Sequence, residues 1–241
     1  GVGANICLGG GVLGLNPILV GAVGPDFADY RSWLDRHNVD TSSVYVSDTL
    51  HTARFICTTD DEQNQLASFY PGAMSQAREI ELGPIHERVG GLDLVLIGPN
   101  DPEAMLRHTE ECIFRKIPFV ADPSQQLAWM EGNSIKKLID GAHILITNEY
   151  ESALIEQKTG WTSERVEIRV TTLGSDGCKV EAKGQATISV SVPPEELKAD
   201  PTGVGDACRA GFLSGLAWGV SLERAAQVGS LNLVRFLVQH G

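Results

Sequence analysis

The sequence predicts an α/β fold: a central, mostly parallel β-sheet flanked by helices, with a small β-lid. Three observations carry that reading. Short β-like apolar runs alternate with helix-length segments, the rhythm of βα units around a parallel sheet. One stretch, residues 43–70, breaks the rhythm with closely spaced strand-like runs. And 42% of the 241 residues are apolar, enough to bury a core and too many for a disordered chain.

The elements follow in order. Gly1–Leu8 reads as a helix of small residues. Ile18-Leu-Val-Gly-Ala-Val23 is the first strand, and the helix behind it spans about Asp26–His37. Within residues 43–70, the runs Val44-Tyr-Val46, Thr52-Ala-Arg-Phe-Ile-Cys57 and Leu66-Ala-Ser-Phe-Tyr70 read as antiparallel hairpin material, with an acidic turn at Thr59-Asp-Asp-Glu62. That excursion fits a lid over a ligand site, and fits equally an edge hairpin of the main sheet. The expected division is therefore an α/β body over residues 1–42 and 73–241, with a β-lid inserted at 43–72. Strands are expected at Leu92–Ile97, Pro118–Ala121, His143–Thr147 and Ile168–Thr172, and helices at Pro102–Arg115, Ser134–Asp140 and Glu149–Lys158. Two closing helices, Asp206–Trp218 and Leu222–Gln239, follow, the second with Ser221 as a candidate N-cap.

The formal charge of -12, from 31 acidic and 19 basic residues, argues against sequence-independent binding to nucleic acid or to anionic lipid. It leaves a small anionic ligand open, since a local pocket of amides outweighs a distant surface charge. Cys7, Cys57, Cys112, Cys178 and Cys208 are scattered without metal or disulfide spacing, which fits a reducing cytoplasm. No apolar run approaches the ~20 residues that span a bilayer.

The segment richest in chemistry is Asp200-Pro-Thr-Gly-Val-Gly-Asp206. A glycine-flanked turn before a helix presents consecutive backbone N–H groups, reinforced by the helix dipole, to an anion. An aspartate beside such a nest repels phosphate, so its presence suggests a separate chemical role, that of accepting the proton of an attacking hydroxyl. Asp206 as a plain helix N-cap is the competing reading. Gly9-Gly-Gly-Val-Leu-Gly14 matches the dinucleotide-binding spacing, with Asp26 or Asp29 as its acid. That pattern requires a strand before the first glycine, however, and Gly1–Leu8 reads as helix. Neither a Walker lysine loop nor the protein-kinase set of motifs is present.

Asp-Pro-Thr-Gly-Val-Gly-Asp, followed by Ala207-Cys-Arg-Ala-Gly-Phe212, resembles the C-terminal signature of the ribokinase-like (PfkB) carbohydrate and nucleoside kinases. Val204 stands in place of the commoner alanine, and Cys208 in place of an aromatic, which would loosen packing beneath the loop. The resemblance implies a ribokinase-like fold in which the amides of Gly203, Val204 and Gly205 form an anion hole and Asp206 is the catalytic base. It extends to Asn148-Glu-Tyr-Glu151, similar to the family's Asn-x-x-Glu motif, with Asn148 beside ATP and Glu151 organising Mg²⁺ through water. By themselves these residues read as an ordinary helix start. Thr172-Leu-Gly-Ser-Asp-Gly177 resembles the nucleotide loop, implying ATP contacts at Thr172, Gly174 and Gly177; taken alone it is a hairpin turn. Gly1-Val-Gly-Ala-Asn5 is similar to the tail of the substrate motif, with the backbone of Gly1 and the side chain of Asn5 toward sugar hydroxyls. The family's first strand, its early aspartate and its last helix have no counterpart, and the expectation is that these segments are omitted rather than lost.

Within that family the chain is most similar to bacterial adenosine-kinase-like members, through His51–Phe55, Ala67–Met74 and Asp122-Pro-Ser-Gln-Gln126. For a nucleoside, Phe55 would stack on the base, while Gln125 or Gln126 would offer a paired donor and acceptor to its edge. A core phenylalanine and solvated glutamines fit the same residues. The resemblance implies ATP and Mg²⁺ as cofactors and allows a monovalent cation such as K⁺. The implied partners are a nucleoside or sugar, with neither nucleic acid nor membrane, and a homodimer through the lid edge is open. A sugar kinase of the same fold, and a non-catalytic nucleotide- or sugar-binding homologue, are the alternatives.

Overall fold

The computed structural model describes residues 1–59, 65–161, 165–193 and 202–240. Asp200, Pro201 and the acidic turn past Thr59 lie outside the described residues. The helices are α1 (Val2–Val12), α2 (Ala28–Arg36), α3 (Leu82–Val89), α4 (Pro102–Arg115), α5 (Gly132–Ile139), α6 (Glu149–Thr159), α7 (Val204–Ala217) and α8 (Leu222–His240). The strands are β1 (Gly21–Val23), β2 (Val44–Val46), β3 (Arg54–Thr59), β4 (Gln65–Tyr70), β5 (Val95–Ile97), β6 (Phe119–Ala121), β7 (Ile144–Asn148), β8 (Ile168–Thr172), β9 (Cys178–Ala182) and β10 (Ile188–Val190).

The main sheet has six strands in the order β10-β9-β8-β7-β6-β5. β5 to β8 run parallel, and β9 and β10 continue antiparallel. Strands β5, β6 and most of β7 are apolar on both faces, as a covered parallel sheet requires. The pleat then divides the residues between two cores. Phe119, Ala121 and Leu145 point to one side, into a cluster with Met105, Leu127 and Leu138. Val120, Ile144 and Ile146 point to the other, against Phe212, Ala225 and Ala226.

Several boundaries differ from the sequence expectation. The helix expected from Asp26 begins as a 3-10 turn, Pro25–Phe27, with α2 starting at Ala28, and the Asp26 carboxylate reaches Thr52. β5 starts at Val95, three residues late: its partner Pro118 offers a carbonyl to the Val95 N–H but has no N–H to return. The glycines Gly9–Gly11 lie inside α1, so the dinucleotide-type match is a helix interior and not a phosphate loop. Val44–Val46 is no part of an antiparallel hairpin: β2 pairs parallel with β1, forming a separate two-stranded ladder.

The remaining excursion, β3 with β4, is a true antiparallel hairpin in which Phe55 lies opposite Phe69. Its base is tied to the body by Asp26, which accepts from the Thr52 N–H, the Thr52 hydroxyl and Arg54 at 2.7–2.9 Å. Beyond that tether Phe55, Ile56, Leu66 and Phe69 are all more than half exposed, on both hairpin faces. A cavity of about 690 Å³ runs along the outer edge of β5, walled by Ile6, Ile18, Val20 and Leu213. Asn5, Asp206, Asn148 and Glu151 do not line it, so it is separate from the polar cluster described below.

Helix α7 is held between α1 and α8 by close backbone approach. A Cβ on Gly211 would sit 2.7 Å from the Val228 carbonyl oxygen and 2.8 Å from Gly229 Cα. One on Gly9 would meet the Ala210 Cβ at 2.6 Å. Cys208 is buried against Gly229, so the space of a larger side chain is taken up by α8 and the packing beneath the loop is not loosened. Alanine is the better helix former by about 1 kcal/mol, yet overpacking costs about 1–3 kcal/mol. Gly211→Ala is therefore expected to lower stability in urea denaturation, and an unchanged or raised midpoint would contradict this packing.

Candidate functional site

The parallel strands β6, β7 and β8 end on the same side as the N-terminus of α7, so loops distant in sequence meet there. Gly203 caps α7 in the left-handed region at φ 87°, a conformation that strongly favours glycine. No side chain caps this helix, and the first intrahelical bond is from the Ala207 N–H to the Gly203 carbonyl. The amides of Val204, Gly205 and Asp206 therefore belong to the uncapped first turn, where an anion is favoured.

Asp206 is the third residue of α7 and does not cap it. Its Oδ2 instead accepts from the Asn5 side-chain amide at 2.8 Å, which bridges α7 to α1. Burial pushes the Asp206 carboxyl above its solvated value of 3.8, and nearby Asp122 adds to the rise. The Asn5 hydrogen bond and the Arg209 guanidinium pull the other way. The result is a half-buried carboxyl beside an anion-attracting helix end, with its protonation tuned by several neighbours.

One turn along α7, Arg209 is buried and forms a two-pronged pair with the fully buried Asp122, at 2.5 Å from Nε to Oδ2 and 2.8 Å from Nη2 to Oδ1. A Cβ on Gly205 would lie 2.9 Å from Arg209 Nη1, so this glycine keeps the guanidinium lodged under the turn. Both partners stand in motifs quoted from the sequence, which by themselves assign neither a role. Their signals are an arginine inside the small apolar run Ala207–Phe212, and an aspartate placed between the strand Phe119–Ala121 and Pro123.

Asn148 and Glu151 form a capping box: Asn148 Oδ1 accepts from the Glu151 N–H at 2.7 Å, and Glu151 Oε2 accepts from the Asn148 N–H at 2.8 Å. Glu151 is buried and lies within electrostatic reach of Arg209. Among the described residues no group of three or more acidic, His or Cys side chains converges as a metal cage. A single carboxylate with one oxygen already engaged suits Mg²⁺, which keeps most of its waters and takes further oxygens from substrate phosphates.

Thr172 ends β8 beside Asn148 in register, and its hydroxyl reaches the Thr147 carbonyl at 3.5 Å. Gly174 starts the turn to β9, and Gly177 closes it at φ 99°, where a Cβ would lie 1.9 Å from the Val190 carbonyl oxygen. The nucleotide-loop candidates thus sit at one sheet end, next to the capping box. Gln125 is exposed and shares a cavity of about 240 Å³ with Tyr150, Glu151 and Leu154, while Gln126 is half-buried. Phe55 stands on the exposed hairpin, and the described contacts include none between it and Gln125, Gln126 or Asp206.

The sequence profile of the pfkB family carbohydrate kinases matches residues 1–231. The chain is 29% identical over 236 residues to the nucleoside kinase of Methanocaldococcus jannaschii, covering 95% of this chain and 76% of that protein. Its fold superposes with a TM-score of 0.92 on the Burkholderia thailandensis nucleoside kinase in complex with inosine, at 29% identity over 100% of this chain and 80% of that one. The same enzyme in complex with ADP-inosine gives a TM-score of 0.89 at 30% identity, covering 98% and 74%.

Because the folded Asp206 carboxyl titrates above 3.8, the folded state holds its proton more tightly than the unfolded one. Its contribution to stability is complete below 3.8 and is lost as pH rises through the folded value. Asp206→Asn is therefore expected to raise the Tm at neutral pH, by an amount that shrinks on acidification. A lowered Tm at pH 7 would contradict this burial.

Proposed function

The chain belongs to the pfkB family of carbohydrate kinases, and within that family we propose that it is an ATP-dependent nucleoside kinase with Asp206 as the base. The observation that carries this reading is the half-buried Asp206 carboxyl in the uncapped first turn of α7, held by Asn5. ATP lies along Asn148–Glu151, the Thr172–Gly177 turn and the Gly203–Gly205 amides, with its γ-phosphate toward the start of α7. The 5′-hydroxyl of the nucleoside faces Asp206.

In the reaction, Asp206 takes the hydroxyl proton as the oxygen forms its bond to the γ-phosphorus. The bond from that phosphorus to the bridging oxygen breaks, and ADP leaves with the electron pair. The amides of Gly203, Val204 and Gly205 stabilise the charge on the transferred group. Bound Mg²⁺, held by Glu151 through water, would supply charge neutralisation on the phosphates. Asn5 both holds Asp206 and lies where a sugar hydroxyl enters, with the Gly1 backbone beside it. The β3–β4 hairpin closes over the nucleoside, so that Phe55 covers the base and water is excluded. Gln125 and Gln126 read the base edge.

The relatives named as nucleoside kinases, one of them binding inosine, support a nucleoside over a sugar. Adenosine, giving AMP, is the proposed acceptor. Five unpaired cysteines support a reducing compartment, the cytoplasm, and no described helix is long and apolar enough to cross a membrane. The exposed hairpin supports a lid-mediated homodimer.

Asp206→Asn is expected to cut kcat by about 10²–10⁴-fold, the usual share of a general base, with ADP affinity nearly unchanged by calorimetry. Near-normal turnover in that variant would remove Asp206 from the role. A coupled ADP-release assay across adenosine, inosine, ribose and fructose is expected to favour the nucleosides. Preference for a free sugar would overturn the acceptor assignment.

A further inference from the structure

Three features converge on the loop that follows β6. Asp122 opens it, fully buried, and Pro123 then fixes the backbone before Ser124 turns into the left-handed region at φ 44°. Gln125 and Gln126 follow within the 3-10 turn Ser124–Ala128. The far end is gripped by Lys158 of α6, whose Nζ donates to the carbonyls of Leu127, Ala128 and Met130 at 2.6, 3.0 and 3.0 Å. The near end is gripped by Arg209 of α7 through the two-pronged Asp122 pair. A short loop is thus clamped at both ends by cations from two different helices.

The Arg209 end is the informative one. A buried ion pair is a weak source of stability, since apolar or neutral partners of the same volume often serve as well. What the planar guanidinium fork adds is geometry, because two parallel bonds fix both distance and orientation. Arg209 sits one turn from Asp206 and directly under Gly205. The pair therefore joins the turn that meets the phosphates to the loop that carries Gln125 and Gln126.

We propose that Arg209 and Asp122 form a positioning pair that sets the register between the anion-binding start of α7 and the nucleoside-reading loop after β6. Neither residue touches the reacting atoms; each acts through what it holds. The pair makes the alignment of acceptor hydroxyl, Asp206 and γ-phosphate depend on one rigid link. An error of about 1 Å in such an alignment costs on the order of 100-fold in rate.

This inference rests on the nucleoside kinase reading, and the test separates the two. Wild type, Arg209→Lys and the double variant Asp122→Asn/Arg209→Gln are compared in thermal unfolding and in steady-state turnover of nucleoside and ATP. The lysine variant keeps the charge but loses the fork. The double variant replaces both charges with neutral amides that can still hydrogen-bond to each other, the second on a shorter side chain than the arginine. Both are expected to fold, the double variant with a Tm close to wild type, while kcat falls about 10- to 100-fold and KM for ATP stays within about threefold. A purely structural pair predicts the opposite: kcat returning with Tm in the double variant. That result overturns the inference, as does a lysine variant that either keeps wild-type kcat or loses its fold. A wild-type chain silent toward every nucleoside removes the kinase reading and this inference together, whereas an active wild type with an equally active double variant removes this inference alone.

Discussion

Helix α7 carries a half-buried carboxyl in its first turn, and two other helices must come within backbone contact of α7 to hold that turn in place. The contact is possible because the facing positions are glycine and alanine: Gly9 of α1 against Ala210, Gly211 and Gly215 against the Val228–Gly229 and Ala225 backbone of α8. Side chains such as leucine would hold the helices apart by ordinary packing distances. Glycine contact instead brings Asn5 within 2.8 Å of Asp206 and lets the Asn232 amide reach the Ala207 carbonyl at 2.7 Å. The chemistry proposed for Asp206 is a consequence of how closely these three helices can lie.

The electrostatics follow from the same closeness. A chain of net charge -12 is an unpromising host for a triphosphate, and the site answers locally rather than globally. An uncapped helix end supplies partial positive charge without a cation. Burial works against the Arg209 charge, but Asp122, Glu151 and Asp206 all lie within electrostatic reach and together hold its proton more tightly than in a free arginine. The guanidinium therefore keeps three acids compatible with one small volume. Asp206, unlike Asp122, lacks a direct ion pair among the described contacts, and its carboxyl is left raised and able to exchange a proton.

The parts legible in the sequence were those with short-range signatures. Gly203, with its positive φ, and Asn148 with Glu151, as a capping box, are local devices whose spacing reveals them. The continuous apolar runs at Phe119–Ala121 and Ile144–Thr147 read directly as covered strands because both faces are buried. Long-range facts were harder. Val44–Val46 looked like its hairpin neighbours because nothing in three residues announces a parallel partner at Gly21–Val23. The helix Leu82–Val89 has Gly83-Pro84 in its first turn and β9 is interrupted by Lys179 and Glu181, so neither these nor the three-residue β10 stand out in the apolar pattern. The start of α7 was read two residues late, since Asp206 has the chemistry of a cap while Gly203 has the geometry of one. Arg209 and Asp122 lie 87 residues apart, and only the fold reveals that each neutralises the other.

If the Asp206 carboxyl and the α7 turn serve a 5′-hydroxyl, the phosphate must end on that oxygen. The most direct measurement is therefore the position of the phosphate in the product formed from ATP and adenosine, read by phosphorus–proton coupling in nuclear magnetic resonance. One monophosphate is expected, its phosphorus coupled to the two 5′-methylene protons. A phosphate coupled to the 2′ or 3′ proton, or release of free phosphate with the nucleoside unchanged, would contradict that assignment.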